Sequence, residues 1–174
     1  MAGLNDIPGE VRWRIAAEFS ARLPALYDAA FRPVAGVQFN EIEQEIWMEL
    51  ARTSLAIARD LSLPTTTAQE LADTMRIVMV ILFGPGFKTE MLEVSKDGAV
   101  ILIRRCPILS ESAGAGEDGE RTFHRCMAFM LTGIPILNQN YTARFVRTMC
   151  TGDRQCEIKI APKEAPAPIK SGKK

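Results

Sequence analysis

The chain has 174 residues, with 21 Lys and Arg against 21 Asp and Glu, so its formal net charge is zero at neutral pH. This length fits one folded domain, since domains cluster at about 100–150 residues. The balanced charge argues against a protein that binds nucleic acid through a basic face, because such proteins need surplus Lys and Arg to displace counterions. The longest apolar run is far too short to cross a bilayer, and no secretory signal is visible. We therefore expect a cytoplasmic protein with no nucleic-acid or membrane partner.

Helical periodicity dominates the first half of the chain. Residues 9–31 carry apolar side chains every three or four positions, which predicts a helix with a kink at Pro24. The same spacing predicts a second helix over residues 37–62. A third helix is expected to begin at Thr67, because Glu70 follows three positions later as in a capping box.

After a Gly-Pro-Gly break at residues 84–86 the apolar period changes to two, which predicts strands. Asp97-Gly98 is a strong signal for a two-residue hairpin turn. Counting back from that turn pairs Val94 with Ile101 and Leu92 with Ile103, so these four side chains should share one face of the hairpin.

The rest of the chain predicts a loop, a helix, a second hairpin and a tail. The small, polar segment 110–119 is typical of a mobile surface loop, and a helix resumes at Glu120. Residues 143–150 and 155–161 form the predicted second hairpin. Residues 162–174 are rich in Pro and Lys, so we expect them to be disordered.

These elements predict a single α+β domain over residues 1–161. Three N-terminal helices and one later helix should pack on one face of an antiparallel sheet made of two hairpins.

Four cysteines are the most unusual chemical feature of the sequence, and all lie in its second half. Cys150 and Cys156 flank the last hairpin turn, Cys106 ends a strand before a proline, and Cys126 lies at the margin of a helical apolar stripe. No pair has the CxxC spacing of compact zinc knuckles. Hairpin ends and a helix edge can still converge on a metal site lined by thiolates. A catalytic cysteine, or cysteines that only fill the core, are the open alternatives.

The single histidine, His124, lies two positions from Cys126. Residues two apart on a helix project to different faces, so these two side chains cannot readily bind one ion. His124 can instead serve a cysteine on another element as a general base. Its neighbours Arg121 and Arg125 make an ordinary surface position the simpler interpretation.

Acidic residues on the second predicted helix form a weaker candidate site. Glu41, Glu45 and Glu49 recur every four positions, with Glu43 nearby. Carboxylate metal sites in helical bundles usually need a Glu-x-x-His partner, which is absent here. We interpret this stripe as a solvated helix face.

Four segments together resemble a known group of small bacterial and archaeal proteins. They are a long helix (EQEIWMELARTSLAIARDLSLP), a hairpin ending in CP (VSKDGAVILIRRCP), a cysteine-bearing helix (FHRCMAFML) and a terminal hairpin (ARFVRTMCTGDRQCEIKI). Their order resembles the L-2-amino-thiazoline-4-carboxylic acid hydrolase-like proteins and, more distantly, the 4-vinyl reductase-type small-molecule-binding domain. The resemblance covers residues 35–161, and CTGDRQCEIKI is its most specific piece.

The two relatives imply different chemistry. The 4-vinyl reductase-type domain implies a small-molecule pocket between helices and sheet, and its sensors carry a zinc held by three cysteines and a glutamate. Carried over, the thiolates would be Cys150, Cys156 and either Cys106 or Cys126. Arg147 stands where the glutamate is expected, so the remaining cysteine would take that place, giving an all-thiolate site suited to zinc or an iron–sulfur cluster. The hydrolase-like relatives imply opening of a small sulfur-containing ring by a cysteine nucleophile.

Three functions are therefore expected as alternatives. The first is a cysteine-ligated metal domain that binds a small, apolar ligand in a sensor or accessory role. The second is a hydrolase that uses Cys106 or Cys126 with His124. The third is a protein-interaction module without chemistry. The oligomeric state stays open, with a homodimer as one option.

Overall fold

The computed structural model describes residues 3–95 and 97–163. Helices form the first half and strands alternate with helices in the second half. The elements in chain order are α1 (Gly9–Ala35), α2 (Gln38–Asp60), α3 (Ala68–Phe83), β1 (Lys88–Ser95), β2 (Gly98–Arg105), α4 (Pro107–Gly114), α5 (Gly119–Leu137), β3 (Tyr141–Arg147) and β4 (Cys156–Pro162).

The four strands form one antiparallel sheet in the order β1-β2-β4-β3. In its centre Ile101 pairs with Ile158 and Ile103 pairs with Cys156, and these side chains are buried. Helices α3 and α5 contact the sheet, α2 packs on α5, and α1 packs on α3 and α4. The predicted α+β class with two hairpins is confirmed.

The capping box predicted for α3 is present. The Thr67 hydroxyl accepts a hydrogen bond from the backbone N–H of Glu70 at 3.2 Å, and the Glu70 carboxylate accepts one from the N–H of Thr67 at 3.1 Å. Two backbone donors at the helix start are thereby satisfied, which explains why the sequence located this boundary correctly.

The predicted register of the first hairpin is wrong. Ile101 pairs with Met91 and Ile103 pairs with Thr89, three residues from the predicted partners. The hairpin closes on the pair Ser95–Gly98, which shifts the register by two residues, and an irregularity between Glu93 and Ser95 adds a third. A shift by an odd number of residues brings the opposite face of β1 against the same face of β2. Leu92 and Val94 are exposed as a result.

Part of the predicted loop at residues 110–119 is helical, since α4 runs to Gly114. Pro107 occupies the first turn of α4, where a missing N–H costs nothing, and Cys106 caps it with its sulfur. Ile108 and Ser112 are buried against the body of the domain. The part of the chain that the structure describes therefore contains five α-helices, one more than predicted.

The second hairpin begins two residues earlier than predicted and has a longer connection. Cys150 lies in a short 3-10 turn, Met149–Thr151, and not on a strand. Strand β4 reaches Pro162, and the N–H of Lys163 donates to the carbonyl of Asn140 at 2.8 Å. The first two residues of the predicted tail thus belong to the described structure, and residues 164–174 lie outside it.

Helix α1 is continuous through Pro24 and buries its small side chains. Ala17, Ala21 and Ala25 face the domain, while the large apolar residues whose spacing predicted the helix face outward. Gly84 explains the close approach, since a Cβ at this position would lie 3.1 Å from the Cβ of Ala17. We call the outward row the α1 stripe; it consists of Ile15, Phe19, Leu23, Leu26, Ala30 and Val34.

Candidate binding site

The structure brings all four cysteines to one small apolar cavity beneath α5. Its wall combines the four thiols with aromatic and aliphatic side chains from α2, α3, β2 and α5, including Trp47, Met79, Phe83, Ile103 and Phe129. The cavity volume is about 30 Å³. A space of this size holds roughly one or two water molecules, so a larger ligand would have to displace side chains.

Two of the sulfur atoms have local structural roles. The sulfur of Cys106 accepts the N–H of Leu109 at 3.5 Å at the start of α4. The sulfur of Cys156 accepts the N–H of Met149 at 3.3 Å and thereby holds the 3-10 turn that carries Cys150. The first contact joins the end of β2 to the start of α4. The second joins the start of β4 to the 3-10 turn that precedes it.

The surroundings of the thiols keep them protonated. Burial raises the pKa of Cys106 to about 12 and raises the pKa of Cys126 well above its usual value. Burial also raises the pKa values of Cys150 and Cys156. Cysteine nucleophiles and thiolate ligands need the opposite shift, which a nearby cation or metal provides.

The predicted metal site is wrong. Within residues 3–95 and 97–163, no three His, Cys, Asp or Glu side chains are grouped so that they could hold a metal ion. Cys106, Cys126, Cys150 and Cys156 line a common wall without forming a coordination shell for zinc or an iron–sulfur cluster. Their convergence is explained by packing, because a reduced cysteine behaves as a small hydrophobic residue.

His124 lies on a different surface from the cysteine cavity. It lines a groove of about 500 Å³ between α2 and α5, whereas Cys106 and Cys126 line the small cavity. The groove has an apolar floor, which consists of Met48, Met127, Ala128 and Leu131. Its polar lining residues are Asn40, Glu43, Gln44, Arg121, His124, Arg125 and Thr132. The pairing of His124 with a cysteine therefore stays a prediction that this geometry does not support.

A buried cluster of charges centres on Arg125 of α5. Its Nε donates to Glu43 of α2 at 2.6 Å, and its Nη1 donates to Glu117 at 2.8 Å. Its Nη2 also pairs with Glu117 and lies 3.4 Å from Asp28 of α1. The side chains of all four residues are at most 6% exposed. One guanidinium thus joins α1, α2, α5 and the segment before α5.

Two further arginines balance the carboxylates of this cluster. Arg32 donates to Asp28 at 2.7 Å, and Arg121 donates to the other oxygen of Asp28 at 3.0 Å. Burial raises the pKa of Asp28, but the neighbouring arginines lower it by more, and the hydrogen bond from Arg32 has the largest lowering effect. The pKa of Asp28 is therefore below its usual value. Burial raises the pKa of Glu43, and the charge of Arg125 opposes this shift without cancelling it.

Sequence reasoning missed this cluster. It placed Glu43 beside a solvated stripe, and the stripe itself, Glu41, Glu45 and Glu49, is exposed as expected. Glu43 differs because it lies midway between two buried aromatic residues, Phe39 and Trp47, at four-residue intervals. That spacing was the available signal of a buried carboxylate.

Comparisons with known proteins leave the family open. No helix among the described residues is long and apolar enough to cross a membrane. No protein-family model matches the chain, and no curated protein is significantly similar to it. A solved structure of trafficking protein particle complex subunit 3 from Naegleria fowleri, covalently bound to palmitic acid, is similar with 13% identity and a TM-score of 0.49, covering 88% of this chain and 96% of that chain. A similarity of this size does not define what the present chain does.

Proposed function

We propose that this chain is a protein-interaction module and that the α1 stripe is its contact surface. The main support for this proposal is the orientation of α1, in which alanines face the domain and large apolar residues face solvent. Ile15, Phe19, Leu23 and Leu26 are between 43% and 59% exposed. Soluble monomers rarely expose a contiguous apolar patch of more than a few hundred Å² unless it contacts another molecule.

The cysteines have a packing role in this proposal. Their thiols are neutral because burial raises their pKa values, and the single histidine lines a separate groove. The ring-opening hydrolase alternative needs a thiolate and a base in contact. No hydrogen bond joins His124 to a cysteine in the described part of the chain.

A photoreactive amino acid at position 19 tests the proposal. We expect p-benzoyl-phenylalanine in place of Phe19 to form a covalent protein–protein product on irradiation of cells that make the variant, because this large side chain belongs to the α1 stripe and is 59% exposed. The product is detected by its mass on a denaturing gel and identified by mass spectrometry.

The matched control carries the same probe at Glu93, which is exposed on β1 away from α1. This position should give no product. Absence of any protein product from position 19, or equal yields at both positions, would contradict the proposal.

A second candidate function, binding of a small, largely apolar molecule, is favoured by the groove between α2 and α5. Its volume of about 500 Å³ lies in the range of known ligand pockets, and it combines an apolar floor with a few polar groups. The ligand suited to it has an apolar body along Met127 and Leu131 and a polar end near Arg121 and His124. The cysteine cavity is too small for this role.

Decanoate is a suitable probe for the groove, since it combines an apolar chain with a carboxylate. We expect calorimetric titration to show binding to the wild type and about tenfold weaker binding to Leu131→Glu, which places a charge on the groove floor. Leu92→Glu is the control, because Leu92 is equally exposed but lies on β1. Equal affinities in the two variants would exclude the groove as the site.

A further inference from the structure

The spacing of the outward residues of α1 is symmetric about its midpoint. From Ile15 to Val34 the intervals are four, four, three, four and four residues. At 100° per residue this spacing keeps all six side chains on one side of the helix, opposite Ala17, Ala21 and Ala25. The centre of symmetry lies between Leu23 and Leu26.

We propose that the partner of the α1 stripe is a second copy of this chain, bound with the two α1 helices antiparallel about a two-fold axis. This inference rests on the proposed function and names its partner. The axis would pass between Leu23 and Leu26 of both copies, so that each Leu23 faces the partner's Leu26. A two-fold interface uses the same patch on both subunits and therefore requires such self-complementarity.

The sizes of the facing side chains fit this arrangement. Antiparallel pairing places Phe19 at the level of the partner's Ala30 and Ile15 at the level of the partner's Val34. A large side chain thus meets a small or medium one at each outer level, and two leucines of equal size meet at the centre. Alternation of large and small residues lets two helices interdigitate without voids.

The area of the stripe suits a weak but specific dimer. Its large side chains are about half exposed, and Val34 is 86% exposed. Six such side chains present on the order of 600 Å² per copy, so pairing buries about 1,200 Å² in total, the lower end for specific interfaces. We expect a dissociation constant on the order of 10 µM.

The charges beside the stripe favour a protein partner over a lipid surface. Glu18 pairs with Arg14 at 3.2 Å, and Arg12, Arg22 and Glu10 are also exposed. The flanks therefore carry both signs, as at the polar rim of protein interfaces. Helices that lie on anionic membranes have a strongly basic polar face, and the face of α1 opposite the stripe is buried alanine.

A charge-pair rescue tests both the partner and the direction of pairing. In the full-length protein, Leu23→Glu places a carboxylate against the partner's Leu26, and we expect the dissociation constant from sedimentation equilibrium to rise at least about 30-fold. Adding Leu26→Lys gives each carboxylate a cation across the axis, so affinity should return to within about fivefold of wild type. Leu23→Glu with Leu26→Glu is the matched control and should stay monomeric.

The double variant regains affinity only if the two α1 helices pair antiparallel. In parallel pairing, position 23 would face position 23 of the other copy, so the Glu/Lys double variant would place like charges together and stay monomeric. Should circular dichroism show that Leu23→Glu disturbs folding, Phe19→Lys with Ala30→Glu tests the same register at the outer levels.

The outcomes separate this inference from the proposed function. A wild-type monomer at 100 µM and above, whether or not it binds vesicles of anionic phospholipid, overturns the second copy as partner, and so does a dimer that Leu23→Glu leaves intact. If the probe at position 19 then captures a different protein, the interaction module survives and only its partner is wrong. If that probe captures nothing, both proposals fail.

Discussion

Replacing Arg125 with alanine is expected to lower the free energy of unfolding by about 3–5 kcal/mol. The guanidinium is buried among Glu43, Glu117 and Asp28, which come from three separate segments of the chain. Its removal leaves carboxylates in a buried environment with only Arg32 and Arg121 to balance them. Urea denaturation at neutral pH measures the loss.

A surface ion pair provides the control for this experiment. Arg52 pairs with Glu49 at 2.8 Å on α2, and both side chains are mostly exposed. Arg52→Ala should cost no more than about 0.5 kcal/mol, because exposed pairs gain little over their hydration. Similar losses for Arg52→Ala and Arg125→Ala would contradict a central role of the buried cluster.

The pH dependence distinguishes lost charge pairing from lost packing. Burial raises the pKa of Glu43, and Arg125 limits that rise. Without Arg125 the folded-state pKa of Glu43 should lie further above its unfolded value, so the folded variant binds a proton more tightly than the unfolded chain does. The stability deficit of Arg125→Ala should therefore narrow as the pH falls from 7 toward 5. A deficit that stays constant with pH would point to packing alone.

Gly119→Ala is expected to destabilise the protein by about 1–3 kcal/mol, the usual cost of forcing extra atoms into a packed site. A Cβ at Gly119 would lie 2.3 Å from the carbonyl oxygen of Cys150. The obstacle is backbone, so it cannot rotate away as a flexible side chain would. Either the start of α5 or the 3-10 turn Met149–Thr151 must move.

Gly114→Ala is the matched control for Gly119→Ala. Gly114 also belongs to a helix, and apart from its chain neighbours and the backbone of that helix no atom lies within 4 Å of the position that its Cβ would occupy. Alanine is the better helix former, so this variant should be unchanged or more stable by up to about 1 kcal/mol. We therefore expect Gly119→Ala to lower the free energy of unfolding and Gly114→Ala to leave it unchanged or raise it. The same urea denaturation experiment measures both changes. A Gly119→Ala protein as stable as Gly114→Ala would show that the turn is not tightly packed against α5.

Local signals in the sequence predicted the helices and the strands well. The Thr67–Glu70 capping box is read directly from two side chains three positions apart, and the structure contains both of its hydrogen bonds. Cys156, Ile158 and Ile160 alternate along β4 and are all buried, so a two-residue apolar period marks the buried face of this strand. Such features depend on neighbours in the chain, which a single sequence shows.

The predictions of the first hairpin's register and of the loop at residues 110–119 were wrong because one or two residues change the backbone path there. The first hairpin closes on Ser95 and Gly98 and has an irregularity between Glu93 and Ser95, and nothing in the alternation of apolar residues reveals either feature. The start of α4 was missed because the small, polar composition of residues 110–119 is typical of loops. Its helix depends on Pro107 and on the sulfur of Cys106, which follow directly from β2.

The site required information that only the folded chain contains. Arg125 and Glu43 are 82 positions apart, and no local pattern predicts their contact. Helical periodicity revealed the α1 stripe, yet periodicity is the same whether a row of residues faces the core or another molecule. The four cysteines line one cavity as expected, but within the described residues they do not form a group that could hold a metal ion.

The mass of the wild-type protein in solution shows whether the α1 stripe joins two copies of the chain. One chain has a mass of 19.2 kDa. Light scattering coupled to size-exclusion chromatography, with samples loaded between about 1 and 300 µM, spans the expected dissociation constant on the order of 10 µM. We expect the measured mass to rise with concentration toward twice that of the chain. A mass of one chain at every concentration would contradict it.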